Sequence, residues 1–225
     1  MDSIYIYYHV YLFSDWVSIV KEQLDLLQKT ELLSKSKLKV GIVYYEGSQN
    51  DVEKCKSIFD KISNCEILFT KHTSSCGECD TLFEMKSFSE KEKCLFLYIH
   101  SKGVTQIGSE RELHVRNWRK LMEYYLIEKW EDCVSKIQEG YDCCGINYQN
   151  HAATIKNESK LIKIFNGNFF WASSEYIKKL DESILFEHRY SAENWVLSQE
   201  HNAYTPFIPP PGFDFYHNSI TEYKN

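Results

Sequence analysis

The stretch Cys94-Leu95-Phe96-Leu97-Tyr98-Ile99-His100-Ser101-Lys102-Gly103 decides how the chain is read. Six apolar or aromatic residues in a row, with no polar alternation, read as a strand covered on both faces, the pattern of a parallel sheet. The polar run His100 to Gly103 stops it. Three comparable strands precede it, Ile4 to Phe13, Lys39 to Tyr45 and Glu66 to Thr70, and amphipathic stretches separate them. Ser14-Asp15 caps a helix that begins at Trp16, carries Val17, Val20, Leu24 and Leu27 at spacings of three and four, and ends near Lys35. Val52 to Ile62 sets Cys55, Ile58, Phe59 and Ile62 on one face, and Thr81 to Phe88 is a shorter helical piece. The order β-α-β-α-β-α-β predicts an α/β fold: a Rossmann-like, mostly parallel central sheet flanked by helices, with right-handed crossovers. Ligands of such sheets lie beyond the carboxyl ends of the strands, where His100 to Gly103 falls.

The second half opens on a long helical pattern, Glu110 to Gln138, ended by Gly140. A strand over 142–148, a polar loop over 149–160 and a strand over 167–172 follow. Ser173-Ser174-Glu175 caps a helix reaching Leu180, and 192–199 is a last helix. Pro209-Pro210-Pro211-Gly212 is incompatible with regular structure. With no repeat and no linker composition, 1–225 reads as a single domain.

Composition narrows the partners. Lys plus Arg number 26 against 32 Asp plus Glu, a net charge of −6, which argues against sequence-independent binding to nucleic acid or anionic lipid. The N-terminus lacks a basic region before its apolar run, and no stretch is long enough for membrane insertion, so a soluble, cytoplasmic protein is expected. The eight cysteines then read as free thiols. His72-x3-Cys76-x2-Cys79 has ligand-like spacing for zinc, with Cys65 or Cys94 as a fourth group, but a single CxxC is a weak signal against reduced loop cysteines. Aromatics reach 15% of the chain, enough to fill a core or to line a surface that stacks on rings.

The loop after the fourth strand brings an imidazole, a hydroxyl, an ammonium and a flexible backbone to one strand end. Lys102 suits a phosphate and Gly103 allows close approach of backbone, although a plain polar turn has the same composition. Arg119 offers a bidentate fork for phosphate, or is an ordinary helix-surface arginine. In Asn166-Gly167-Asn168-Phe169-Phe170-Trp171, glycine marks close backbone approach and the amides can both donate to and accept from hydroxyls; alternation puts Phe170 in the core. Glu193 is either a general base or a helix N-terminal acid. Glu78 and Asp80 follow the third strand, where carboxylates can accept from ribose hydroxyls. His9, at the end of the first strand, lines the same region or is a satisfied core histidine.

Five motifs follow one another in order: Tyr98-Ile99-His100-Ser101-Lys102-Gly103-Val104, Trp118-Arg119-x2-Met122-Glu123-Tyr124, Gly145-x-Asn147, Asn166 to Ala172, and Ala192-Glu193-x-Trp195. With Tyr7 to Tyr11 and Glu78-x2-Thr81-Leu82, this series resembles a group of small GT-A-type glycosyltransferase-like proteins of large DNA viruses and bacteria. More distantly it is similar to the rhamnan-synthesis type of glycosyltransferase domain. The resemblance covers nearly the whole chain. It implies a GT-A-like sheet, with 1–105 as the nucleotide-binding half and 106–225 as the acceptor and catalytic half. It also implies a nucleotide-sugar donor, a carbohydrate acceptor and a role in glycan synthesis.

Residue by residue, the resemblance implies His100, Ser101, Lys102, Gly103 and Arg119 on the donor diphosphate, and His9, Glu78 and Asp80 toward the nucleoside. Asn166, Gly167, Asn168, Trp171 and Trp195 fall to the sugars, with Glu193 as the base of an inverting transfer. One departure stands out. The Asp-x-Asp motif that holds a divalent cation, Mn or Mg, in such folds is replaced by His100-Ser101-Lys102. Either Lys102 and Arg119 stand in for the metal on the leaving diphosphate, or His100 ligates a metal together with a carboxylate such as Asp80. Two rival readings remain open: a non-catalytic nucleotide-sugar or carbohydrate-binding module of the same fold, and a zinc-stabilised interaction domain built on the CxxC.

Overall fold

The computed structural model describes residues 2–73, 77–155, 158–187, 190–209 and 213, with the backbone alone at 153–155. Cys76 of the cysteine motif and Pro210, Pro211 and Gly212 lie outside the described residues. The first half runs β1 (Ser3–Leu12), α1 (Trp16–Lys29), β2 (Ser36–Tyr44), α2 (Asn50–Phe59), β3 (Cys65–His72), α3 (Glu78–Ser89) and β4 (Cys94–His100), the alternation expected from sequence. Asp15 caps α1 by accepting from the Ser18 amide, as its position before the apolar repeat requires. The helix stops at Lys29, short of the expected Lys35, and a 3-10 turn, Leu33–Lys35, leads into β2.

The second half departs further from expectation. The single long helix is three pieces: α4 (Glu112–Glu123), a π-helical turn (Tyr124–Glu128) and α5 (Trp130–Gln138). Lys129, at φ −108° and ψ 31°, leaves the helical region, and its amide bonds the Tyr124 carbonyl five residues back. After β5 (Cys143–Gly145), the expected polar loop is instead an antiparallel ribbon, β6 (Tyr148–Ile155) with β7 (Glu158–Phe165). Polar residues conceal it because only one side of β7 is covered: Ile162 and Ile164 are buried while Leu161 is exposed. Then come β8 (Phe170–Ser173), α6 (Ser174–Ile177), α7 (Ser191–Trp195) and β9 (Ala203–Tyr204).

One seven-stranded sheet passes through both halves in the order β3-β2-β1-β4-β8-β5-β9. β3, β2, β1 and β4 are parallel neighbours; β8 runs antiparallel to both β4 and β5. β1 shows why the alternation is hidden in sequence, since both of its faces are covered. Ile4, Ile6, Tyr8 and Val10 belong to one apolar cluster with Trp16, Val20, Phe59 and Trp130, whereas Tyr5 and Tyr7 join Leu82, Met85, Phe96 and Trp195 in the other. Helices α1, α2, α4 and α5 therefore cover one face and α3, α6 and α7 the other. The result is a mostly parallel α/β fold. No helix among the described residues is long and apolar enough to cross a membrane.

Candidate active site

β1 is paired with β4 up to the last residue of β4, with His9 opposite His100, so both imidazoles arrive at one end of the sheet. There a cleft of about 280 Å³ is lined by His9, Tyr11, Glu78, the run His100 to Gln106, Arg111, Val115 and Trp118. Odd residues of β1 and even residues of β4 face α3, which brings its first residue, Glu78, against both histidines. His9 Nδ1 lies 2.8 Å from Thr81 Oγ1 on the next turn of that helix.

The loop after β4 is pinned from three sides. The Ser101 amide donates to the His9 carbonyl at 3.0 Å, and Ser101 Oγ accepts from the Tyr11 amide at 2.9 Å, so this hydroxyl knits the loop to β1. Gly103 sits at φ +91°, where an L side chain is strained, and a Cβ there would meet Val115 Cγ1 at 3.0 Å. From α4, Arg119 Nη1 donates to the Lys102 carbonyl at 2.9 Å. The Lys102 ammonium lies 4.5 Å from the centroid of the Trp118 ring, on the cleft wall.

A second set of groups forms the floor. Glu78 Oε2 accepts from Asn168 Nδ2 at 2.9 Å and from the Tyr98 hydroxyl at 3.2 Å, while Oε1 lies 3.9 Å from His100 Nδ1. His100 Nε2 is 3.0 Å from the Gly167 carbonyl. Burial alone would raise the Glu78 pKa, but His100, His9, the Asn168 amide and Lys102 together outweigh it and hold the carboxyl below its usual range. Burial lowers the His100 pKa; Glu78 opposes that shift, and Lys102 and Arg119 reinforce it. The imidazole is therefore neutral near pH 7, and its pull on Glu78 acts only once it is protonated. At neutral pH the carboxylate relies on Asn168, Lys102 and the Tyr98 hydroxyl.

Of the expected site residues, the fold gathers His9, Glu78, His100, Ser101, Lys102 and Gly103 in this cleft. Others are placed elsewhere. Arg119 is 4% exposed and spent on an internal network: Nη2 to Glu22 at 2.7 Å, Nε to Glu123 at 3.3 Å, and the Lys102 carbonyl. It braces the loop and does not line the cleft. Asp80 pairs with Lys71 at 2.8 Å outside the cleft lining. Trp171 is fully buried, stacked on Trp130, with its indole N–H donating to the Leu126 carbonyl of the π turn at 2.8 Å. Trp195 is equally buried and donates to the Asp181 carbonyl. Neither ring has a face open to a sugar. Phe170 and Trp171 are core because β8 is covered on both sides; Phe169, just before that strand, and Trp195 on α7 are buried as well.

Gly167 and Asn168 form a left-handed turn, φ +101° and +58°, that serves the floor: one supplies a carbonyl to His100, the other an amide to Glu78. Asn168 is thus buried behind the carboxylate rather than presented to a sugar. The Asn166 main-chain N–H donates to the Asn147 main-chain carbonyl. Glu193 lies in the first turn of α7, half-buried, and is not among the residues lining the cleft.

Two features were not anticipated. Arg111, in the loop before α4, is a second cation on the cleft lining; its place within ten residues of Lys102 was the available signal. Gln23 is fully buried on the apolar face of α1 among Val20, Leu24 and Leu27. A polar residue at that helical position is the sign that it has partners: Tyr8 Oη donates to its Oε1, and its Nε2 donates to Glu123 and to the His100 carbonyl.

The donor set does not fit a divalent cation. Among the described residues no group of three His, Cys, Asp or Glu side chains could hold one, and Asp80, the carboxylate expected beside His100, is paired with Lys71. In place of a carboxylate cluster, the cleft lining carries the charges of Lys102 and Arg111.

The fold and the cleft define a mostly parallel α/β protein with a polar, partly cationic site at the carboxyl end of its central strands. The chain belongs to the family described as Domain of unknown function (DUF8361), whose model matches residues 7–207. No curated protein matches it. Among solved structures it is similar to 4-diphosphocytidyl-2C-methyl-D-erythritol synthase from Anaerococcus prevotii (TM-score 0.42, 11% identity, 91% of this chain and 86% of that one). HddC from Yersinia pseudotuberculosis (0.43, 9%, 91% and 89%) and residues 1–349 of S. aureus TarS (0.43, 11%, 91% and 60%) are comparable. Likenesses at this level assign no residue a role.

Proposed function

We propose that the protein is a transferase of the GT-A-like kind, moving a sugar from a nucleoside-diphosphate donor to a carbohydrate acceptor in glycan synthesis. The observation that carries this reading is the cleft itself. A neutral imidazole and a half-buried carboxylate share its floor, and an ammonium held against an indole stands at its wall. The five-motif resemblance agrees with it, and three of the five motifs have residues in this cleft or directly behind it. Lys102 and Arg111 hold the diphosphate and stabilise its negative charge as it leaves, the task a metal performs elsewhere. His9 faces the nucleoside end, and Glu78, expected there from the resemblance, stands instead beside His100. Arg119 acts through the Lys102 carbonyl and not on phosphate.

Binding of UDP-, GDP- and dTDP-sugars by calorimetry, followed by release of nucleoside diphosphate across an acceptor panel, tests the reading. Lys102→Met is expected to weaken donor binding by about 10- to 100-fold, the loss of one charge-assisted contact. A wild-type protein that neither binds nor turns over any of the three donors removes the proposal. A second reading, a binding module without turnover, is favoured by one observation: neither Arg119 nor Glu193 lines the cleft. Donor binding with no release across the panel selects it.

A further inference from the structure

We propose that His100 is the proton acceptor of this cleft, with Glu78 as the carboxylate that holds the imidazolium it becomes. The proposal rests on the transferase reading and replaces Glu193 as base. Its ground is the tautomer. The Gly167 carbonyl can only accept, so the nitrogen 3.0 Å from it, Nε2, carries the hydrogen of the neutral ring. Nδ1 is then the basic nitrogen. It faces Glu78 Oε1 across 3.9 Å, on the floor of the cleft, with the His100 side chain 11% exposed.

The surroundings fix this pair. Glu78 Oε2 is held by Asn168 and Tyr98, which sets the direction of Oε1. The His100 ring is packed edge-on against Phe169 and stacked on Tyr98, and its main-chain carbonyl is gripped by Gln23. Charged groups act on the imidazole from several sides, Glu78 from α3, Lys102 from the same loop and Arg119 from α4, and His9 sits opposite it on β1. Their sum with burial keeps the ring unprotonated at neutral pH, as a base requires.

In the step itself, the acceptor hydroxyl gives its proton to His100 Nδ1 as its oxygen forms a bond to the donor's anomeric carbon. The bond from that carbon to the diphosphate breaks, and its electron pair leaves with the nucleoside diphosphate against Lys102. The imidazolium, paired with Glu78, then returns its proton to water. Glycoside, nucleoside diphosphate and one proton are the products, which balances the reactants.

His100→Gln tests this on the full chain, because a glutamine amide can still donate to the Gly167 carbonyl but cannot take a proton. With the donor that the wild type binds best, its affinity is expected to stay within about threefold while turnover falls by roughly 10²- to 10⁴-fold. The wild-type rate should fall on acidification through an apparent pKa below the ordinary imidazole value, and the variant should lack that limb. Glu78→Gln removes the charge that favours the imidazolium, so its acid limb should move to lower pH as turnover drops, a shift that a purely structural role does not produce. Turnover of His100→Gln within about threefold of wild type, with an unchanged pH profile, overturns the assignment while leaving the transferase reading intact. Donor binding without release by the wild type overturns both.

Discussion

Arg119 Nη1 reaches past its own helix to the main-chain carbonyl of Lys102, 2.9 Å away, while the same guanidinium is closed on its other edges by Glu22 and Glu123. Gln23 does the same for the neighbouring His100 carbonyl. Two side chains from two helices thus hold two nearby carbonyls, at the end of β4 and just after it, in the segment that carries the candidate chemistry. Glu123 is almost wholly buried against this arrangement.

Replacing Arg119 with Met should therefore cost about 3 kcal/mol of unfolding free energy, because Glu123 is left buried without its main partner. Urea denaturation measures it. Donor affinity should fall as well, since Lys102 loses the brace on its backbone. Unchanged stability would mean that Lys120, which also pairs with Glu22 and Glu123, suffices together with the Gln23 amide.

Gly167→Ala places a methyl group 2.5 Å from Met122 Sδ at a backbone φ of +101°. Strain of about 1–3 kcal/mol is expected. The local consequence is more specific: the Gly167 carbonyl shifts, and His100 loses the acceptor that fixes its tautomer. NMR of the imidazole nitrogens should show mixed tautomers where the wild type shows one.

Trp171→Phe separates core from sugar platform. Loss of the indole N–H leaves the Leu126 carbonyl without this donor and should destabilise the fold by about 1–3 kcal/mol. Donor and acceptor binding should not change. A selective loss of saccharide binding at unaltered stability would return Trp171 to the site.

Stability should also decline on acidification from about pH 6.5. His100 is depressed in the folded state, so between its folded and unfolded pKa values the unfolded chain binds the extra proton and folding is disfavoured as pH falls. Glu78, also depressed, contributes stability that is present above the ordinary glutamate range and lost as pH falls through its folded value. Chemical denaturation at several pH values should give two successive losses. His100→Gln should remove the upper one and shrink the lower, because the imidazolium is the largest of the charges that depress Glu78.

Much of this was readable beforehand because it depends on covered strands. Cys94 to Ile99 is apolar on both sides, and the residues that stop it are the site. The alternation in the first half follows from the same cause. What escaped notice depended on partners distant in sequence. Trp171 and Trp195 look like ligand platforms until both faces of β8 and the packing of α7 are known. Arg119 looks like a phosphate fork until Glu22 arrives from α1. The β6–β7 ribbon hides behind a polar composition because one side of it is open. The break at Lys129 has no proline or glycine to announce it.

The single reversed strand of the sheet has a consequence for how such a site can be altered. Parallel strands end at the cleft, but β8 begins there, so the Gly167–Asn168 turn delivers main-chain and amide groups to Glu78 and His100 from a chain running the other way. The acid–base floor is thus assembled from two portions of the gene that can vary separately, one writing the imidazole and carboxylate, the other the groups that tune them. Substitutions over 165–169 offer a way to retune proton affinity without touching either titrating side chain.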